Sequence, residues 1–301
     1  TDATAVVPGN AAGRMNTFTN NANIYWSPWT GAHIVYGDIL TKYLAIGGAG
    51  VYGFPATDVY SVPGVAGAEE CDLQYARIYN SAATGGAHEV HGAILSKYLA
   101  SGGPQARGLP KTDESTPAGI PSARMNDFEL AQIYWSPGTG ARIVYGAILD
   151  KYKALTANST DYSVFGLPTT DETAVPGYYG RKTEFQGTTI YWSDYTGAHE
   201  VRGAIRGKWL AAGGPARFGL PTSDEMPAPG ATSGARYSTF QAAHVYWSPG
   251  TGAREVHGAI LNKYIALGAS GNTQIGLPTS DEYYAGGGTY VNNFQHADIW
   301  W

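Results

Sequence analysis

The chain has 301 residues, of which 14% are charged, with a net charge of −5. Lys and Arg are scattered, with no run longer than Arg181-Lys182, so no basic patch for a phosphate backbone is expected and nucleic acid is not an expected partner. One cysteine, Cys71, precludes an internal disulfide and a cysteine-based zinc site, and no apolar run approaches the ~18 residues of a membrane-spanning helix.

Gly, Tyr and Trp are abundant (41, 22 and 8), as in a turn-rich, mainly β protein with aromatic side chains to spare. In chain order, the first predicted element is a hairpin. Phe18 and the triplet Ile24-Tyr25-Trp26 flank the polar turn Thr19-Asn20-Asn21, which reads as two short strands. A third strand follows, best seen in the alternation of Ala198-His199-Glu200-Val201-Arg202. Next comes one short helix, as in Ala259 to Leu267, with Gly268 as its C-terminal cap. A Gly-Phe/Leu-Pro turn then appears at Gly53, Gly108, Gly166, Gly219 and Gly276, followed by Thr or Ser and an Asp (Asp58, Asp113, Asp171, Asp224, Asp281). Last, a basic residue precedes an aromatic one by four, as in Arg14/Phe18, Arg124/Phe128, Arg181/Phe185 and Arg236/Phe240.

The whole series repeats. The middle residues of the triplets, Tyr25, Tyr79, Tyr134, Tyr191, Tyr246 and Trp300, are 54, 55, 57, 55 and 54 positions apart, a solenoid-like or propeller-like period. The chain opens without Met or a secretory leader, as a trimmed product does, and Thr1-Asp2 is in phase with Thr170-Asp171. The predicted domain is a single array over 1–301, with repeats near 1–55, 56–110, 111–168, 169–221 and 222–278 and a terminal hairpin at 279–301. The expected fold is mainly β with one short helix per repeat, as an open stalk or a closed propeller-like ring. A lone unit buries too little, so neighbours must stack; the surplus hairpin favours the open form, because a ring closed by strand exchange usually needs a whole number of units.

The Gly-Phe/Leu-Pro turn, the Tyr-Trp-Ser-Pro-x-Thr-Gly-Ala-His run and the Gly-Ala-Ile-Leu-x-Lys-Tyr segment together resemble the LGFP repeat family over essentially the entire chain. The resemblance implies modules that hold proteins to wall polysaccharide, as in C-terminal extensions of actinobacterial mycoloyltransferases and cell-wall hydrolases. It therefore implies an extracellular or wall-associated place. This sequence carries no hydrolase domain, so the catalytic roles of relatives do not transfer.

Repetition within one chain sorts core from surface. The Ile or Val of the triplet never becomes polar, and the aromatic residue four after the basic one persists, so both are expected in the core. The triplet Trp gives way to Asn80 in the second copy. Burying Asn where Trp had packed costs about 3–5 kcal/mol plus an unpaired amide, so Trp26, Trp135, Trp192 and Trp247 are expected to be partly exposed. They serve either as stacking platforms for a sugar ring or as packing between neighbours.

The third strand carries two variable polar series. These are His33, His88, Arg142, His199 and Arg254 after its Ala, and Tyr36, His91, Tyr145, Arg202 and His257 at its end. They form a binding row or a solvated strand face. Arg14, Arg124, Arg181 and Arg236 offer guanidinium forks suited to a carboxylate or paired hydroxyls, or else a salt bridge to the Asp of a turn. The Asp itself reads as a turn cap. Adjacent Asp-Glu pairs such as Asp113-Glu114 point apart on a turn, unlike the facing carboxylates of a glycosidase. No catalytic residue, cofactor motif or metal-ligand set is predicted. Copy two departs from the pattern at Asn80, Ala82, Gly85-Gly86 and Cys71, the last read as standing in for Arg, so a site on this frame is expected to be dead there.

The expected function is multivalent, lectin-like carbohydrate binding to cell-wall or surface glycans. The alternative is a non-catalytic spacer or protein-interaction scaffold.

Overall fold

The computed structural model describes residues 5–157, 162–230 and 234–301, so the Thr1-Asp2 pair lies outside the described residues. The chain forms two compact units, Thr1–Gly146 and Ala147–Trp301. Among the described residues about two-fifths are strand, in six small antiparallel sheets, none closed into a barrel.

The first unit holds three sheets. These comprise Ala5–Val7, Asn10–Phe18, Ala22–Ser27 and Gly31–Tyr36; then Tyr60–Ser61, Ala68–Asp72, Ala76–Ser81 and Gly86–His91; then Arg124–Asp127, Ala131–Ser136 and Gly140–Tyr145. The second unit holds Thr173–Ala174, Arg181–Glu184, Thr188–Ser193 and Gly197–Arg202; Met226–Pro227, Arg236–Thr239, Ala243–Ser248 and Gly252–His257; and Tyr283–Gly286, Thr289–Asn293 and Asp298–Trp300. Each is a meander in chain order; in the first five the triplet strand is central and paired residue for residue, as Trp135↔Arg124 and Trp135↔Ala141 show, while in the last the triplet strand Asp298–Trp300 lies at the edge.

Within each unit, sheets and helices alternate. The helix Gly92–Ala100 buries Ile94 and Tyr98, one turn apart on one face. The Tyr98 ring stands edge-on to Tyr79 of its own sheet (5.8 Å) and stacks on Phe128 of the following sheet (4.2 Å). Trp209 of Gly203–Ala211 joins Tyr191 (5.2 Å) to Phe240 (4.8 Å), and Tyr264 of Gly258–Ala266 joins Tyr246 (5.6 Å) to Phe294 (4.5 Å). Each ring pair adds about 0.5–1.5 kcal/mol beyond its buried area. These contacts give the repeat its coherence: the sheet that includes Arg236–Thr239 and Ala243–Ser248, for one, is covered by its own helix through Tyr264 and by the preceding helix through Trp209.

The same helix tyrosine links two distant motifs. Its hydroxyl donates to the carbonyl of the turn glycine: Tyr43 to Gly53, Tyr152 to Gly166 and Tyr264 to Gly276, each at 2.7 Å. The turn glycine has positive φ (+72° at Gly219), and a Cβ there would stand 2.6 Å from the Gln241 Cβ. Gln241 approaches that closely because its Oε1 accepts the Leu220 N–H at 2.8 Å. Glycine is needed on both counts.

Several expectations are revised. Besides the helix that begins at Gly258 and ends before left-handed Gly268, a second short helix precedes four of the turns: Gly48–Tyr52, Gly103–Arg107, Tyr162–Phe165 and Gly214–Phe218. Short edge strands such as Tyr60–Ser61 extend most sheets from three strands to four. Ile78, Ile133, Ile190 and Val245 are fully buried, but Ile24 is 37% exposed; Phe128 is 2% exposed and Phe18 47%. Among the described residues, no preceding helix covers that face of the first sheet. In the second sheet the aromatic position holds Leu73, whose partner is Pro55, just as Phe128 pairs with Pro110. The residue opposite Asn80 is Glu69, not Cys71. Glu69 therefore takes the Arg place, while Cys71 is a buried free thiol opposite Ile78.

Candidate ligand-binding clefts between successive repeats

The third strand separates the two polar series. His88 and His91 are three residues apart, so they lie on opposite faces roughly 10 Å apart. The His33, His88, His199 and Arg254 series turns back toward the hairpin turn: His33 Nε2 is 2.7 Å from Thr30 O, His199 Nε2 is 2.8 Å from Thr196 O, and Arg254 Nε donates to Thr251 O at 3.1 Å. Arg142 is half-buried at the equivalent place.

The nearby Asp does not cap its own turn. Its Oδ1 accepts the N–H of a strand residue 24 to 26 positions earlier, as Asp58 does from Ile34 and Asp224 from Glu200. Its Oδ2 meets a helix lysine of an earlier repeat: Lys42 with Asp113 at 2.7 Å, Lys151 with Asp224 at 2.8 Å, and Lys208 with Asp281. Burial opposes the charged form of Asp224, but His199, Lys151 and the Glu200 N–H outweigh it and hold the carboxyl at about 2. This series is a structural knot.

The strand-end series opens onto clefts. In the first unit, His91, Glu114, Ser122, Arg124 and Trp135 line a cleft of about 330 Å³ at the start of Gly92–Ala100. In the second unit, Arg202, Glu225 and Trp247 line one of about 400 Å³ at the start of Gly203–Ala211. Matching positions of two repeats thus make each cleft: the strand end of one, the Glu and Trp of the next. Trp135, Trp192 and Trp247 are half-buried, as is Asn80, while Trp26 is exposed. The expected partial exposure of this position agrees with that.

The arginines point at the Glu beside the Asp, not at the Asp. Arg181 Nε lies 2.7 Å from Glu172, Arg236 Nε 3.2 Å from Glu225 and Arg124 Nε 3.4 Å from Glu114. Arg14 instead donates to the Gly13 carbonyl at 2.9 Å. It lines a smaller cleft of about 230 Å³ with Trp26.

Sequence reasoning missed the buried glutamates behind the clefts. Glu89 Oε2 is 2.8 Å from His91 Nδ1, and its Oε1 accepts the Glu114 N–H at 3.1 Å. His91 Nε2 in turn lies 3.4 Å from Glu114. Glu255, His257 and Glu282 repeat the chain at 2.7 and 3.3 Å. In the Arg202 cleft, Glu200 accepts the Glu225 N–H, and the Arg202 guanidinium bridges the two carboxylates at 3.8 and 3.6 Å. The hydrogen bond to Glu89 raises the His91 imidazole above its ordinary range against the effect of burial, and Glu255 does the same to His257. Burial pushes the Glu114, Glu200 and Glu282 carboxyls up. The signal was present in the sequence: the strand ends Glu-Val-His or Glu-Val-Arg in copies two, four and five, and Ile-Val-Tyr in copies one and three. A buried carboxylate is kept only where a cation follows two residues on, on the same strand face. Tyr36, at an Ile-Val-Tyr strand, reaches Glu69 through its hydroxyl at 3.5 Å.

Such clefts offer an indole face and several charged hydrogen-bonding groups. Among the described residues, no group of His, Cys, Asp and Glu is placed to hold a metal ion, and no helix is long and apolar enough to cross a membrane.

No curated protein matches the chain. One matching solved structure is the extracellular domain of a one-component system from B. thetaiotaomicron. It is 8% identical, with 99% of this chain and 32% of that one covered and a TM-score of 0.14, too slight a likeness to bear on fold or function. The family model of the LGFP repeat, a module generally found in cell-wall-associated or secreted proteins, matches residues 1–50, 53–105, 108–159, 165–216 and 218–271. The chain belongs to the LGFP repeat family.

Proposed function

We propose that the protein is a multivalent, non-catalytic carbohydrate-binding protein that grips cell-wall or surface glycans in the clefts between repeats. The observation that carries this reading is the recurrence of one lining, His91/Glu114/Trp135 and Arg202/Glu225/Trp247, in two clefts of about 330 and 400 Å³. That size suits one or two sugar rings. The indole takes the apolar face of a ring, and the Glu–cation–Glu chains supply acceptors and donors for hydroxyls. Hydrolysis is disfavoured because Glu89 and Glu114 share one imidazole and a direct N–H contact, whereas a glycosidase places its carboxylates on either side of the bond. Single clefts of millimolar strength, about 4 kcal/mol each, gain roughly 10²–10⁴ when several engage one polymer.

A spacer function is favoured by one observation: the cleft arms already pair with each other, as Arg124 does with Glu114. A glycan array and pull-down on insoluble wall polysaccharide separate the two. Trp135→Ala and Trp247→Ala each weaken retention about two- to tenfold, the value of an aromatic contact, while Asn80→Ala leaves it unchanged. Equal effects at all three positions, or no retention of the wild type, count against carbohydrate binding.

A further inference from the structure

Tyr52, Arg107, Phe165 and Phe218 occupy one repeat position: the last residue of the short second helix, just before the turn glycine. Each lies against the last residue of a third strand one repeat on. The Tyr52 ring centroid is 5.3 Å from that of His91, and the Arg107 guanidinium sits 3.9 Å over Tyr145. The Arg202 guanidinium lies 5.0 Å over Phe165, and Phe218 is 5.2 Å from His257. The identities change from pair to pair, yet every pair joins an aromatic ring to a side chain that carries, or can carry, a positive charge. In Arg107–Tyr145 the order is reversed, with the cation on the helix and the ring on the strand. A site that needed only bulk would not keep the pairing through that exchange; a ring–cation contact does.

We propose that where the strand ends in a cation, as at His91, Arg202 and His257, the residue before the turn glycine (Tyr52, Phe165 or Phe218) is a positioning residue for the cleft of the following repeat, holding the strand-end donor against its buried glutamate. Phe165 backs Arg202 while Glu200 holds its Nε side at 3.8 Å, which aims Nη2 at Glu225, 3.6 Å away on the cleft wall. Tyr52 does the same for His91, whose Nδ1 is on Glu89 and whose Nε2 faces Glu114. The clefts therefore differ in their donor, imidazole or guanidinium, according to a pair drawn from two repeats. This role rests on the carbohydrate-binding reading, because it assigns the donor to a ligand.

Phe165→Leu removes the ring and keeps apolar volume; Phe165→Tyr keeps both. Two NMR readouts on the full chain follow each variant. Without ligand, the Arg202 Nε–H signal carries a ring-current displacement that Phe165→Leu abolishes and Phe165→Tyr retains. With solubilised peptidoglycan glycan strands as the probe, the shift of the Trp247 indole N–H gives the affinity of that cleft. This affinity falls about two- to fivefold in Phe165→Leu and returns in Phe165→Tyr, while the Trp135 response is unchanged. An Arg202 signal indifferent to Phe165→Leu in a folded chain overturns the proposal, and so does a lost displacement with unaltered affinity. If no wild-type indole responds to the glycan strands, it is the carbohydrate reading that fails, and the ligand-free signal still decides whether Phe165 holds Arg202.

Discussion

Asp224 gives the sharpest test of how the repeats are tied together. Its Oδ1 accepts the Glu200 N–H at 3.1 Å, and its Oδ2 lies 2.8 Å from Lys151 Nζ. The carboxyl is held at about 2, against roughly 3.9 in an unfolded chain. That difference sets a ceiling of about 2–3 kcal/mol. The side chain is 33% exposed, so solvent screening reduces the figure to about 1–2 kcal/mol. A depressed carboxylate contributes fully above its unfolded value and loses that contribution as pH falls toward the folded one. Asp224→Asn, which keeps an oxygen for the Glu200 N–H, should therefore cost about 1–2 kcal/mol at pH 7. The gap to wild type stays level down to about pH 4–5 and closes by about pH 2. Urea denaturation of both proteins across that range, followed by Trp fluorescence, measures it. A gap that is absent at pH 7, or that stays constant to pH 2, would refute the assignment of Asp224 as a charged knot between repeats.

Two further outcomes follow from the same geometry. The His91 imidazole, held up by Glu89, should titrate by NMR above its ordinary value of about 6.5 and drop toward it in Glu89→Gln. Its contribution is complete below about 6.5 and is lost as pH rises through the folded value, the opposite sense to Asp224. A midpoint indifferent to Glu89→Gln contradicts the pairing. Gly219→Ala forces a Cβ to within 2.6 Å of the Gln241 Cβ at a φ of +72° and should cost about 1–3 kcal/mol. Gly250→Ala, with no neighbour within 4 Å, should be within about 0.5 kcal/mol of wild type, by thermal melting.

The repeat period, the hairpin, the third strand and the helix were legible in the sequence because each is a local matter of alternation, helical spacing and a left-handed glycine at the helix end. Partial exposure of the triplet Trp was legible too, from Asn80 alone. Other properties were not, because they depend on which repeat covers which face. Ile24 and Ile133 are the same residue type at the same repeat position, yet one is exposed and the other sealed under the helix that carries Tyr98. The polar row of the third strand looked like one surface. Pairing across sheets split it into a knot around Asp58, Asp113 and Asp224 and a set of cleft donors.

What local order specified was one module, five times over, with its chemistry already on board. Which side chains of different modules meet was settled only by stacking. His91, Trp135 and Tyr52 are far apart along the chain and share no pattern that marks them as neighbours. A helix wedged between two sheets brings them together, because an uncovered sheet face must find apolar cover and takes it from the repeat before.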